Sequence, residues 1–233
     1  MILNSAYTKC PKCEANFSYT DIKPEKISKS EIWSDGFYMA PMRKDLIKFA
    51  KCPSCNTFFW LQENSIEEPT DSNGIKKLDN SWFIDEISSK EINFIKEAFR
   101  AGLASTTEKE MILRIKLWQT INHITRKYYS QGLLKTIKQK IFTTTDYKNS
   151  IKQYKSSVPL KLKNIIRLLN ILKLDKNKES NYVLFAETYR EIGDFGKAMV
   201  FCHKARKLPK SDSKRIRLLK RHIETKSKTA YSL

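Results

Sequence analysis

The chain has 233 residues, 40% hydrophobic and 30% charged, with 44 Lys+Arg against 25 Asp+Glu for a formal net charge of +19. That apolar share, with 12 Phe, 10 Tyr and 4 Trp, is enough to build a packed core and excludes a collagen-like or low-complexity chain. No stretch reaches the roughly 18 uncharged apolar residues of a membrane span, and Met1 to Cys10 has neither the basic start nor the apolar run of a signal peptide, so the expected location is the cytoplasm, without membrane association.

The charge is unevenly placed. Residues 1–90 hold 12 basic and 13 acidic side chains, a net of −1, whereas residues 91–233 hold 32 and 12, a net of +20. Such a step marks two modules.

The first module carries two cysteine pairs, Cys10-Pro-Lys-Cys13 and Cys52-Pro-Ser-Cys55, separated by 38 residues. Phe17 follows the first pair as Phe59 follows the second, so both copies read KCPxCxxxF. This is a duplicated metal knuckle. Two-residue spacing lets both thiolates of one tight turn face a common tetrahedral ion, and backbone N–H groups of the turn can ease the sulfur charge. A disulfide framework would need an oxidising compartment, and a redox CxxC normally occurs once, before a helix. The ligand set expected from the spacing is therefore Cys10, Cys13, Cys52 and Cys55 around one Zn2+ ion, although the intervening stretch is longer than a usual ribbon loop. Four thiolates leave no open coordination position, so the ion is expected to be structural.

Between the pairs lies Trp33-Ser34-Asp35-Gly36, followed by Ala40-Pro41, and Phe58-Phe59-Trp60-Leu61 reads as a closing strand. Asp35-Gly36 flanked by aromatic residues predicts a hairpin or ordered loop laid over the zinc site. Trp33 and Asp35 could form a recognition surface, but the simpler expectation is that Trp33 roofs the small core and Asp35 caps its turn. With CPxC, WSDG, AP, CPxC and FW in this order, Cys10 to Trp60 resembles uncharacterised bacterial proteins that carry an N-terminal rubredoxin-like zinc ribbon before a helical region. That resemblance implies the ribbon fold and the metal, and it implies no activity.

The polar, acidic, turn-rich stretch after Gln62 reads as a linker. Ser88 to Glu91 forms a capping box ahead of Ile92, Ile95, Phe99 and Leu103, and Thr107 to Glu110 opens a second helix running to about Tyr129. Regularity weakens over Thr143 to Asn149, and a helix is expected to restart after Ser157 with Pro159 in its first turn. From Tyr182 to Leu208, residues Ala186, Tyr189, Gly193, Phe195, Ala198 and Ala205 fall at the spacings of a tetratricopeptide repeat, where small residues let two helices approach and glycine makes the turn. Lys214 to Ile223 would cap that pair. The expected fold class is α+β: a zinc ribbon with an inserted WSDG loop over 1–63, a linker over 64–86, and a basic all-α domain over 87–233 with a TPR-like repeat at 180–208.

Cys202 falls on the inward strip of its helix and reads as a core residue. His123, His203 and His222 are scattered, Glu108 with Glu110 and Glu187 with Glu191 read as helix-end and exposed-face charges, and no phosphate loop, GxSxG or HExxH occurs. An enzyme is not expected. Two functions remain. The first is an adaptor whose basic helical groove takes a protein or acidic peptide partner. The alternative is a nucleic-acid binder, with Tyr128, Tyr129, Tyr147 and Tyr154 stacking near Arg126, Lys127, Lys148, Lys152 and Lys155. The neutral ribbon and the excess of Lys over Arg favour the adaptor.

Overall fold

The computed structural model describes residues 4–21, 31–32, 34–35, 38–39, 49–67, 75–78, 89–129, 145–174, 181–208 and 213–228. Trp33, Gly36 and the Ala40-Pro41 dipeptide lie outside them. Two compact units emerge, one of residues 1–30 and 39–105 and one of residues 31–38 and 106–233. The class is α+β, a strand-rich N-terminal region followed by six described α-helices.

In the first unit, β1 (Asn4–Lys9) and β2 (Asn16–Asp21) form an antiparallel hairpin whose turn is the first cysteine pair, with Thr8 opposite Phe17. Thr8 and Phe17 are both fully buried, which fixes the inward face of the hairpin. Segment 64–86, expected as a linker, instead adds strands to both edges of this hairpin. The strand β7 (Ser65–Ile66) pairs antiparallel with β1, and β8 (Lys76–Lys77) pairs parallel with β2. Polar, charged sequence suits such positions, because edge strands have one side open to water. The second pair closes a smaller hairpin of β5 (Phe49–Lys51) and β6 (Phe58–Trp60).

Helix α1 (Ser89–Arg100) buries Ile92, Ile95 and Ala98, and its Phe94 ring stacks on Phe49 at 5.7 Å and meets Phe58 at 5.1 Å. Trp60 donates from Nε1 to the Leu103 carbonyl at 3.1 Å, so this helix completes the core that the small hairpin cannot close alone.

In the second unit, β3 (Glu31–Ile32) and β4 (Tyr38–Met39) form a two-stranded hairpin around Ser34 and Asp35; Met39 is the first residue of the returning first unit. Helix α2 spans Thr107–Tyr129, with the Thr106 hydroxyl accepting from the Lys109 N–H at 3.2 Å. The cap is thus one residue earlier than the sequence suggested. Helix α3 runs unbroken over Thr145–Leu174 with Pro159 in its interior, where a restart at Ser157 was expected. Proline withholds one N–H from the ladder. Tertiary packing outweighs that loss: Ile165, Leu168, Leu169 and Leu172 are buried in one cluster with Trp118 of α2.

Helices α4 (Tyr182–Ile192) and α5 (Phe195–Arg206) form the helical hairpin, with Ala186, Ala198 and Ala205 fully buried. Gly193 ends α4 at φ +89°, its N–H bonding to Arg190 and that of Asp194 to Tyr189. Gly102 ends α1 in the same way, and Lys226 does so after α6 (Ser213–Glu224) at φ 51°, without glycine's freedom. Helix α6 packs on α5 and α4 through Ile216, Leu219 and Ile223.

Candidate metal centre

The two knuckles are the same structure twice. In the first, the Cys10 N–H bonds to the Ala15 carbonyl at 3.0 Å and the Glu14 N–H to the Cys10 carbonyl at 3.0 Å. In the second, Cys52 bonds to Thr57 and Asn56 to Cys52, both at 2.8 Å. Each turn needs a left-handed residue just past its second cysteine, Glu14 at φ 61° and Asn56 at φ 60°. The repeated sequence therefore encodes a repeated backbone.

The knuckles bring all four sulfurs within 4.8 Å of one another. Cys10 Sγ lies 3.6 Å from Cys55 Sγ, and Cys13 Sγ lies 3.6 Å from Cys52 Sγ. A disulfide would need about 2.05 Å, whereas sulfurs tetrahedral around an ion at about 2.3 Å stand roughly 3.8 Å apart. The spacing is that of metal ligands. Cys10 and Cys52 are fully buried, and the repeat's phenylalanines, Phe17 and Phe59, pack with them, Ala50, Leu61 and Leu78. Burial pushes the Cys52 thiol up to about 12. The Thr57 hydroxyl and N–H beside Cys55 bring that thiol down to about 6. A cation among the four thiols would replace the protons that burial otherwise retains.

The second unit holds a polar interior that the sequence did not reveal. Glu187 and Glu191, expected on an exposed face, are buried, as are Arg190, Lys161, Asn122, Ser34 and Asp35. Arg190 grips Glu187 in a two-pronged pair at 2.9 and 2.6 Å and also donates to the Ser227 carbonyl. Glu191 accepts from Lys161 Nζ at 2.6 Å, Trp118 Nε1 at 2.8 Å and Asn122 Nδ2 at 3.1 Å. Asn122 donates as well to the Asp35 carboxylate at 2.8 Å, while Gln119 and Arg215 donate to the Asp35 and Ser34 carbonyls, each at 3.1 Å. Asp35 therefore belongs to the helical unit, whereas the sequence pattern predicts it as the cap of a turn in the ribbon module. From Phe185 to Glu191 helix α4 is buried on every side, so its charged positions there must pair internally. One signal was legible: Lys161 stands four residues before Ile165 on the apolar strip of α3, where a lysine needs a buried anion.

Elsewhere, Glu110 accepts from Arg114 at 2.7 Å and Arg167 at 2.9 Å, joining α2 to α3. The Arg167 hydrogen bond holds its carboxyl below the usual glutamate range, with burial opposing. A carboxylate with a depressed folded pKa stabilises above its unfolded value and loses that contribution as pH falls through the folded one. Urea unfolding followed by circular dichroism should accordingly show less acid-induced loss of stability between pH 5 and pH 3 in Glu110→Gln than in the unmodified chain. Cys202 is buried, with burial raising its thiol pKa, and desolvation lowers that of His222.

Among the described residues, this fold and site define a protein with a helical unit and a four-cysteine cluster placed to hold a metal ion. No protein-family model, curated protein or solved structure matches the chain.

Proposed function

We propose that the four cysteines hold one structural zinc ion and that the helical unit, with its TPR-like hairpin, is the adaptor surface for an acidic protein segment. The thiol quartet supports zinc, a metal suited to closed four-sulfur sites, with Cys10, Cys13, Cys52 and Cys55 as ligands. The adaptor reading rests on the outer faces of α5 and α6. Lys197, Lys204, Arg206, Lys207, Arg217 and Arg221 are exposed there, and Val200 on the same surface is 53% exposed. Lys204 Nζ lies 5.2 Å from the Phe201 ring centre and 5.7 Å from that of Tyr182, so basic and aromatic surface run together.

The protein has no catalytic task in this proposal, since Glu187 and Glu191 are committed to the internal cations Arg190 and Lys161. Nucleic-acid binding is the weaker alternative. Tyr154, one of the rings suggested for stacking, instead receives the Lys161 ammonium on its hydroxyl at 3.2 Å. The side chains of Arg126, Lys127, Tyr128, Tyr129 and Tyr147 lie outside the described residues. Fluorescence anisotropy with a glutamate-rich peptide and a single-stranded oligonucleotide tests the proposal. The peptide should bind, and Arg217→Glu with Arg221→Glu should weaken it about ten-fold. Binding of the oligonucleotide alone, with a steep salt dependence, would establish the alternative.

A further inference from the structure

The segment carrying Ser34 and Asp35 lies, in the chain, between the two cysteine pairs, yet it folds as part of the helical unit. Its anchorage there is extensive. Asp35 is 1% and Ser34 2% exposed. Asn122, Gln119 and Arg215 hold the pair from α2 and α6, and the Ser34 side chain hydrogen-bonds Glu187 of α4. These partners belong to the same interior as the Glu191 and Lys161 ion pair, through Asn122, which bonds both Asp35 and Glu191.

We propose that the metal centre controls the docking of this strap, so that zinc occupancy in the first unit sets how firmly the interior of the helical unit is closed. The inference rests on the zinc reading above. With both pairs on one ion, Cys52 is fixed in a folded unit that joins the helical unit directly at Ser105 and Thr106. The strap is then tethered through the short stretch from Met39 to Cys52. Without the metal the small ribbon core is too slight to hold itself, and the tether becomes the whole run from Met39 to Ser105. A tether about five-fold longer lowers the effective concentration of the strap roughly ten-fold. Strap release leaves Asn122 and Glu187 short of a partner each, and opens to solvent side chains that are otherwise buried.

Hydrogen exchange by mass spectrometry on the full chain, zinc-loaded, stripped with EDTA and reloaded, tests this, with metal content measured on each sample. Stripping should speed exchange in peptides covering Glu31–Tyr38, Trp118–Asn122 and Glu187–Glu191 about ten-fold, with recovery on reloading. Peptides within α3 from Ile165 to Leu172 should change little. Asp35→Ala should produce the same pattern with zinc retained, and stripping that variant should add nothing at Trp118–Asn122. Gln119→Ala, which removes the bond to the Asp35 carbonyl and leaves the Asp35 carboxylate in place, provides a milder variant with the same expectation in smaller degree. A chain that takes up no zinc would sink the zinc reading and the inference with it. A chain that binds and releases zinc while Trp118–Asn122 exchanges at one rate throughout would overturn the coupling alone.

Discussion

Replacing Glu191 with alanine should destabilise the protein by about 3–5 kcal/mol, the loss expected when one member of a buried ion pair is removed. The lysine left behind explains the size. The Lys161 side chain is only 4% exposed, and its ammonium has Glu191 at 2.6 Å and the Tyr154 hydroxyl at 3.2 Å. Burial alone would push its pKa down, and the attraction of Glu191 reverses that, leaving the pKa raised. Alanine removes the reversing charge, and it also strips acceptors from Trp118 Nε1 and Asn122. Leucine at 191 combined with methionine at 161 should cost much less, because no unpaired charge remains.

The pH dependence carries a sign of its own. With a raised folded pKa, the pairing of Lys161 stabilises fully below the unfolded lysine value and is lost as pH rises above it. In Glu191→Ala, burial governs instead, so the folded pKa falls below the unfolded one and stability increases as pH climbs toward the lysine range. Urea unfolding at pH 7 and pH 10 should therefore show the gap between the two proteins narrowing at pH 10. A gap that stays constant would mean that Lys161 is not the residue stranded.

Cys52→Ser is the second substitution with a large effect, and it should abolish both the metal and the fold of the first unit. Structural zinc contributes roughly 10–16 kcal/mol of apparent free energy in small zinc modules, far beyond what the seven-residue cluster around the sulfurs, two of its members ligands in this reading, can replace. Metal analysis should give one zinc per chain before the substitution and close to none after it. Amide dispersion in nuclear magnetic resonance spectra should collapse for residues 4–21 and 49–67, while signals of the α2 and α3 core persist. Since burial holds the Cys52 thiol near 12 without metal, zinc binding must expel its proton, and affinity should weaken as pH falls. Cys202→Ser serves as the control: its sulfur faces the Ile216 carbonyl at 3.7 Å, and zinc content should not change.

The clustering of the four cysteines was legible because the repeat KCPxCxxxF carries the cysteines, the turn and the core phenylalanine together. Helices α2, α4, α5 and α6 were legible from periodic apolar positions and from Gly193. Pro159 misled, since the local rule that places proline at a helix start was outweighed by burial on α3 beyond it. The destination of Asp35 could not be read at all. Its partners Asn122 and Gln119 lie 87 and 84 residues away, and no local pattern records a contact of that range. Glu187 and Glu191 were misplaced for a related reason: an i,i+4 pair of glutamates looks the same on a solvated face as on a helix enclosed by its neighbours, and only the enclosure decides.

The duplicated knuckle gives the metal centre an approximate local dyad, because the first cysteine of each copy abuts the second cysteine of the other. Each copy contributes one sealed thiol, Cys10 or Cys52, and one nearer to solvent, Cys13 or Cys55. The dyad thus separates an inner edge from an outer one. An oxidant would meet Cys13 and Cys55 first, one sulfur of each knuckle, so that both knuckles would be loosened together rather than in sequence.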